Sequence, residues 1–503
     1  MIKPHRTQVF LMGAGPGDAE LLTVKAQRIL KTVDVVLYDF LVPPSLLMLC
    51  KPEAKLMCVG KRKGFHSKTQ AQIHKLIQNW VQKGCSVARL KGGDPLMFGR
   101  GGEEMEFLRS RGISYEVVPG VSSGFAVPAY AGIPLTHRTL STSVAFVSAT
   151  LKRGKTWKQV PLPKADTLVF FMALTQLEGL VQRLLGDDLW TLNTPVAVLY
   201  KGTTAAQETL SATLGTVVQK TKVHGLVTPA LLMVGRVTIL ADSLKWRESL
   251  PLFGKRIVLC RQTEQSDEWK QGFQALGAEV LEYPLLSIEF NKNSGPRALR
   301  ALQKANQVVF TSANGVRFLF QILFEQRLDA RQFYGKVIMV VGQKTAEALE
   351  KWGLKADFLA KKAQVEGILD TLPTDLKGQH FFLPQSARSR ALLKDTLVQR
   401  GAQVSAVALY KPVAKKPLFS LELRPNDVIM LTSTSMAEVF FEKFGTSLKQ
   451  FFESKKRLTL CCIGPVTYAG VMALLEKYPI QLNVVFANDP SLEGVLNIIT
   501  ETV

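Results

Sequence analysis

Two glycine-rich segments in the first half of this 503-residue chain, and two Thr-Ser pairs in the second, have residue types and spacings able to do chemistry. Gly13-Ala14-Gly15-Pro16-Gly17-Asp18 follows the apolar run VFLM and precedes a helical pattern. Glycines allow a ligand to approach the backbone closely. A dinucleotide fingerprint needs glycine at the sixth position of G-x-G-x-x-G, where Asp18 stands. A P-loop needs G-K-[ST] at its end, which is absent. Pro16 also removes one backbone N–H, so the loop is a poor phosphate cradle. The chemistry indicated is recognition of a ligand without phosphate. The second segment, RLKGGDPLMFGRGGEE over residues 89–104, follows another strand pattern and opens a helix with an acidic first turn. Glycine turns after two strands put two ligand-facing loops at the carboxyl edge of one sheet. Two tight turns with no ligand are the simpler reading, and both stand at this point.

The second half offers Thr311-Ser312-Ala313-Asn314-Gly315 and Thr432-Ser433-Thr434-Ser435, each between an apolar run and a helical pattern. Such hydroxyls cap helices. Together with helix N-terminal amides they also bind carboxylates. His380 is the only histidine after residue 250, so a histidine-based acid or metal cluster is excluded there.

These residues need elements to position them. Residues 1–240 alternate apolar strand runs (Val9–Met12, Val35–Tyr38, Val87–Leu90, Tyr115–Val118, Val144–Ser148, Leu168–Met172, Pro195–Leu199, Ala230–Val234) with amphipathic stretches such as Ala19–Lys31 and Thr69–Lys83. That alternation is α/β patterning. ADSLKWRESLPLFGK is polar with a Pro and a Gly, and reads as a domain junction. The second half contains an internal duplication. Residues 259–278 align with 383–402, Thr311-Ser312 falls opposite Thr432-Ser433, Gly342 and Thr345 fall opposite Gly464 and Thr467, and VEGIL matches LEGVL, all at offsets of 121 to 127. Four blocks recurring in one order imply two similar parallel α/β lobes with a cleft between them.

Composition narrows the class. Hydrophobic residues make up 47% of the chain, which excludes a largely disordered protein. No apolar run reaches the roughly 18 residues of a membrane span. MIKPHRTQVF is expected to run directly into a strand, so no signal peptide is expected. The cysteines at 50, 58, 85, 260, 461 and 462 form no C-x-x-C pair, so a reduced, cytoplasmic protein without a structural zinc is expected. The net charge of +22 is spread over both halves: residues 1–250 hold 31 Lys+Arg against 17 Asp+Glu, and the remainder 32 against 24. A basic balance suits nucleic acid, an anionic surface or an acidic small substrate. Aromatics at 8%, without a recognised RNA- or DNA-binding motif, argue against nucleic acid.

GAGPGDAELLTVKA, DVVLYDFLV, VGKRKG, RLKGGDPLMFGRGGEE, VVPGVSSGFAVPAYAGIPLTHR and TPALLMVGRV together resemble uroporphyrinogen-III C-methyltransferase over residues 8–240. The resemblance implies a two-lobed tetrapyrrole methyltransferase fold, a homodimer, S-adenosylmethionine as methyl donor and uroporphyrinogen III as acceptor, with precorrin-2 as product. That donor carries no phosphate, in keeping with the loop. By position, Pro16, Gly92, Gly93, Asp94, Met97, Ser122, Ser123, Met172, Gly202 and Ala230 would line the donor pocket. Asp94 would accept the donor's amino group. Asp39 would act as base and Lys61 as proton donor. Phe40 stands where an arginine is usual, Ser122-Ser123 where Thr and a small residue are usual, and Ala173 where a glycine is usual.

VVFTSANGVRFL, VVGQKTAEAL, GAQVSAVALYKPV, VIMLTSTSMAEVF and CCIGPVTYAG resemble uroporphyrinogen-III synthase over residues 255–503. That implies a bilobal parallel α/β fold and cyclisation of hydroxymethylbilane with inversion of its last ring. Tyr410 would be the proton donor; Thr311, Ser312, Lys344, Thr345, Ser433 and Thr467 would bind substrate carboxylates, with Arg261, Arg388 and Arg390 as further anion partners. The expected organisation is a methyltransferase domain at 1–244, a linker at 245–254, and a synthase domain at 255–503 with lobes at about 255–287 plus 413–503 and at 288–412. The expected function is bifunctional: the second half makes uroporphyrinogen III and the first methylates it twice, for sirohaem or cobalamin. The alternative is an active methyltransferase fused to a non-catalytic tetrapyrrole-binding module. On either reading the positive charge becomes the partner of an octacarboxylate.

Overall fold

The computed structural model describes residues 8–60, 68–151, 156–261, 266–360, 365–415, 417–453, 458–478 and 482–502. Four sheets organise it. The first runs in the order Lys55–Cys58, Val35–Tyr38, Val87–Lys91, Val9–Gly13, Tyr115–Val118, entirely parallel. Val87–Lys91 lies inside it and every one of its residues is buried. That follows from parallel pairing, where connecting helices cover both faces. The helix Gln70–Gln82 shows the local logic. Thr69 and Gln72 form a reciprocal capping box, and Ile73, Ile77 and Val81 recur every fourth residue on the buried face. The connection after Val9–Gly13 leads towards one edge of the sheet and that after Val87–Lys91 towards the other. The two strands are neighbours, so their carboxyl ends form the topological switch point.

The second sheet runs Val144–Ser148, Thr167–Phe171, Ala230–Val234, Pro195–Tyr200, Glu208–Thr213. Only its first pair is parallel. The other three pairings are antiparallel. Glu208–Thr213, like Lys55–Cys58, has no apolar run to announce it; each is an edge strand with a half-exposed face.

The second half carries the duplication in its topology. One sheet runs Glu279–Glu282, Arg256–Leu259, Asp427–Leu431, Thr459–Cys462, Asn483–Phe486, all parallel. The other runs Leu286–Phe290, Gln403–Ala414, His380–Ser386, Gln307–Phe310, Val337–Val340, Phe358–Leu359, parallel apart from its first pair. Setting aside Leu286–Phe290, the strands correspond one for one in spatial order. Thr311-Ser312 and Thr432-Ser433 each leave the central strand of their sheet.

The chain divides into two compact units, Met1–Tyr283 with Pro417–Val503, and Pro284–Lys416. The stretch that reads as a polar junction is packed in part, at Arg247 and Leu252, and exposed at residues 242–246, 249 and 251. Arg247 is 7% exposed and Leu252 is 1% exposed. Leu252 joins the core around Trp269 and Phe273, and its N–H donates to the Leu276 carbonyl. No helix among the described residues is long and apolar enough to cross a membrane.

Candidate active sites

Three loops meet at the carboxyl edge of the first sheet. Gly15 and Gly93 exchange backbone hydrogen bonds: the Gly15 N–H donates to the Gly93 carbonyl at 3.2 Å, and the Gly93 N–H to the Gly15 carbonyl at 2.7 Å. A Cβ on Gly13 would lie 2.5 Å from both the Gly93 oxygen and the Gly120 Cα, and one on Gly120 would lie 2.4 Å from that oxygen. The three backbones touch, and no side chain fits between them. Gly92 differs, since a Cβ there would meet only the Leu41 Cβ, at 3.7 Å. The space beside it is open.

Asp94 ties the second loop to the third. Its Oδ1 accepts from the Leu96 N–H at 2.8 Å and the Met97 N–H at 3.2 Å, and its Oδ2 accepts from the Gly120 N–H at 3.0 Å. Both oxygens thus serve loop geometry, a role the sequence did not suggest. Ser122 is 6% exposed, and its Oγ accepts the Gly124 N–H at the start of the helix Ser123–Tyr130. The Ser123 nitrogen lies 3.6 Å from where a Gly93 Cβ would be. Met97 packs half-buried against a core containing Val127 and Phe171.

The second sheet supplies the remaining wall. The Asp18 N–H donates to Thr203 Oγ1 at 3.1 Å, and the Tyr130 hydroxyl to Asp18 Oδ2 at 3.0 Å. The loop holding Pro16 is therefore fixed to the turn holding Gly202. A Cβ on Gly202 would strike Val127 at 2.2 Å. The Lys201 N–H donates to the Pro229 carbonyl, next to Ala230, which pairs with Tyr200. Met172 is 41% exposed, and its sulfur accepts from Thr150 Oγ1.

Backbone strain is concentrated here. Seven non-glycine residues among those described have positive φ, and five of them are Phe98, Arg100, Met172, Lys201 and Thr203. Such conformations cost about 1–3 kcal/mol each and cluster at functional sites. Exposed apolar side chains lie on two of these loops, Leu96 and Phe98 on one and Met172 on another, with Phe40 and Leu41 after the strand Val35–Tyr38 and Phe125 on the helix Ser123–Tyr130.

Asp39 follows the strand Val35–Tyr38, with its side chain 30% exposed. Arg89, on the buried central strand, donates from Nη2 to Asp39 Oδ1 at 2.6 Å. Arg89 Nε donates to Glu104 Oε1 at 3.2 Å, and Lys91 Nζ and Gln70 Nε2 reach the same oxygen at 3.0 Å each. Glu104 is fully buried. Burial favours its neutral form, but Arg89 and Lys91 outweigh this and hold the carboxyl below its ordinary range. Burial likewise lowers the Lys91 ammonium. In the sequence these residues sit within a glycine cluster. The available signal was two cations at i and i+2 inside an otherwise apolar buried strand. Lys61 lies outside the described residues.

In the unit Pro284–Lys416, Tyr410 and Ser312 come together, their oxygens 2.7 Å apart. Ser312 Oγ also accepts the Gly315 N–H as cap of the helix Ala313–Glu325. Tyr410 is 6% exposed. Burial raises its phenol above the ordinary value, partly offset by the Ser312 hydrogen bond. Thr311 is half-buried beside this pair, and Lys344 is exposed on the first turn of Gln343–Glu350. Thr345 turns inward: it is 4% exposed and its hydroxyl donates to the Val341 carbonyl. That acceptor lies just before the helix, next to its cap Gly342. Arg388 and Arg390 are exposed. In the other unit, Ser433 Oγ accepts the Met436 N–H, Thr467 is 5% exposed, and Arg261 stacks over Trp269 at 5.2 Å.

Two protein families match successive parts of the chain. The model for tetrapyrrole (corrin/porphyrin) methylases matches residues 8–218, and that for uroporphyrinogen-III synthase HemD matches residues 267–496. The chain is 46% identical over 238 residues to a uroporphyrinogen-III C-methyltransferase of Methanocaldococcus jannaschii, covering 98% of that protein and 47% of this one. It is 36% identical over 358 residues to a porphyrin biosynthesis protein HemD of Ruminiclostridium josui, covering 70% of each. Among solved structures, uroporphyrin-III C-methyltransferase from Thermus thermophilus matches with a TM-score of 0.42 and 40% identity, covering 48% of this chain and 99% of that one. The chain belongs to the uroporphyrinogen-III C-methyltransferase family of tetrapyrrole methylases, with a uroporphyrinogen-III synthase domain following in the same polypeptide.

Proposed function

We propose that the second half cyclises hydroxymethylbilane to uroporphyrinogen III and the first half methylates that product twice to precorrin-2. The observation that carries the methyltransferase assignment is the convergence of tight glycine backbones, strained residues and exposed apolar side chains on one rim. A donor without phosphate suits a rim whose first loop is short of an N–H at Pro16 and has open space at Gly92. S-adenosylmethionine would supply an electrophilic methyl group on a cationic sulfur. Pro16, Gly92, Gly93, Met97, Ser122, Ser123, Met172, Gly202 and Ala230 would hold it, with Asp94 shaping the loop. Leu41, Leu96 and Phe98 keep water away, which favours dispersal of charge. Asp39 accepts the proton that the methylated macrocycle loses, and the C–H electron pair returns to the ring. On this reading a methyltransferase domain precedes a synthase domain, and the chain works as a homodimer.

In the synthase half, Tyr410 is the proton donor to the departing hydroxyl, and Ser312 orients it. Positioning is the main demand of this reaction, in keeping with a single hydroxyl pair in place of a strong acid–base cluster. The test is the whole chain supplied with hydroxymethylbilane and S-adenosylmethionine. The expected product is the dimethylated type III macrocycle. Formation of only the symmetrical type I isomer would remove the synthase assignment and favour a tetrapyrrole-binding module. Failure to methylate added uroporphyrinogen III would remove the other.

A further inference from the structure

The mechanism above uses Asp39 but leaves the buried charges behind it unexplained. Arg89 and Lys91 are 2% and 4% exposed on the central strand, and Glu104 is fully buried opposite them. Burying three charges is costly unless each is matched. Arg89 spreads its donors over three directions. Nε goes to Glu104, Nη1 to the Leu37 and Leu90 carbonyls at 3.3 and 3.2 Å, and Nη2 to Asp39. The guanidinium is thus fixed by the sheet and by Glu104 before it meets Asp39. Lys91 gives Glu104 a second cation, and Gln70 gives it a third donor from a separate helix. With Asp39 the group is neutral: two cations, two carboxylates. Only Asp39 reaches the rim, with 30% of its side chain exposed against 3% for Arg89.

We propose that Arg89 is a positioning residue: held by Glu104, it fixes the Asp39 carboxylate in one orientation at the edge of the methyl-transfer site. This rests on the assignment of Asp39 as the proton acceptor. One Asp39 oxygen is held by Arg89, which leaves the other to face the macrocycle. Lys91 and Gln70 share with Arg89 the one Glu104 oxygen, Oε1, while Oε2 is buried without a hydrogen-bond partner among the described residues.

The test is a double-mutant cycle on the full chain, reading methylation of uroporphyrinogen III. Arg89→Lys keeps the charge but loses the fork that spans Glu104 and Asp39. Its kcat should fall about tenfold or more, with the KM for S-adenosylmethionine unchanged, because orientation and not donor binding is lost. In Asp39→Ala, adding Arg89→Lys should cost nothing further, since the two residues act as one. Losses that add would overturn the role of Arg89 while leaving that of Asp39 intact. An Asp39→Ala enzyme as fast as the parent would overturn both. Asp39→Glu tests position without touching the buried strand: it keeps the carboxylate but moves it by one methylene. It should also lose about tenfold in kcat, and parent-like turnover would sink the proposal even if Arg89→Lys fails to fold.

Discussion

The three touching glycine backbones give the most direct test of the donor site. In Gly120→Ala the new Cβ would lie 2.4 Å from the Gly93 carbonyl oxygen, and the Gly13 Cα would lie at 2.7 Å. Real Cβ contacts essentially never fall below 3.0 Å, so at least 0.6 Å must be found. Both neighbours are backbone, and the Gly93 carbonyl is already committed to the Gly15 N–H. No rotamer change can relieve the clash. The loops must part, and the cost expected for overpacking is about 1–3 kcal/mol in stability. Displacing ligand-facing backbone by over half an ångström should weaken binding of S-adenosylhomocysteine by about tenfold to a hundredfold. Titration calorimetry with that ligand, alongside thermal unfolding, measures both effects. Gly179→Ala is the control: it lies within the helix Leu177–Leu185, where a Cβ would make an ordinary 3.5 Å contact with Trp157. It should gain up to about 1 kcal/mol and bind like the parent. Parent-like affinity and stability in Gly120→Ala would refute the close-packed rim and the donor site built on it.

Three further outcomes are expected. Glu104→Gln leaves Arg89 and Lys91 buried with one carboxylate between them and should cost about 3–5 kcal/mol; a urea transition shifted by less than 1 kcal/mol would contradict the matched-charge account. Asp34 accepts from Lys51 and from the Ser86 amide and hydroxyl, which hold its carboxyl below the ordinary range. Because the folded pKa is depressed, its contribution is full above the unfolded value near 4 and is lost as pH falls through the folded one, so Asp34→Asn should flatten the acid limb of a stability–pH profile. Thiol labelling of the native chain should modify exposed Cys58 first and half-buried Cys85 more slowly, while Cys50, Cys260, Cys461 and Cys462 react only on unfolding. Burial pushes the Cys461 and Cys462 thiols up to about 12, so early labelling of either would show that the strand Thr459–Cys462 opens.

Features that rest on local constraint were legible in the sequence. Glycine is demanded at Gly13 and Gly120 by close backbone approach and at Gly93 by a φ of 67°, and such demands leave visible glycines. The paired Thr-Ser turns recur because strand order repeats, and a repeat is visible without structure. Features that depend on which strands become neighbours were hidden. Arg89 meets Asp39 from 50 residues away, and Ser312 meets Tyr410 from 98. Nothing in either segment alone names its partner. At the junction, polar composition suggested a linker, and part of that stretch is packed. There the Arg247 guanidinium lies 4.7 Å from the centre of the Tyr130 ring, and the Trp246 indole donates to the Ala129 carbonyl. Long side chains can bury their stems, so polarity alone did not report the burial of Arg247, although Trp246 beside it is 51% exposed.

The unit Pro284–Lys416 is spliced into the chain between two parts of one sheet, and this sets a timetable for synthesis. The strand Arg256–Leu259 must lie beside Asp427–Leu431, and Arg256 pairs with the buried Asp427 across 171 residues of chain. At ribosomal speeds of about 5–20 residues per second, the earlier strand waits roughly 10–30 s for the later one. Through that interval its inner edge has no neighbour, and the Arg256 guanidinium has no carboxylate. The inserted unit has all its strands in hand first and can fold on its own schedule. Nascent chains truncated shortly before Asp427 should therefore be the ones most prone to strand-edge association.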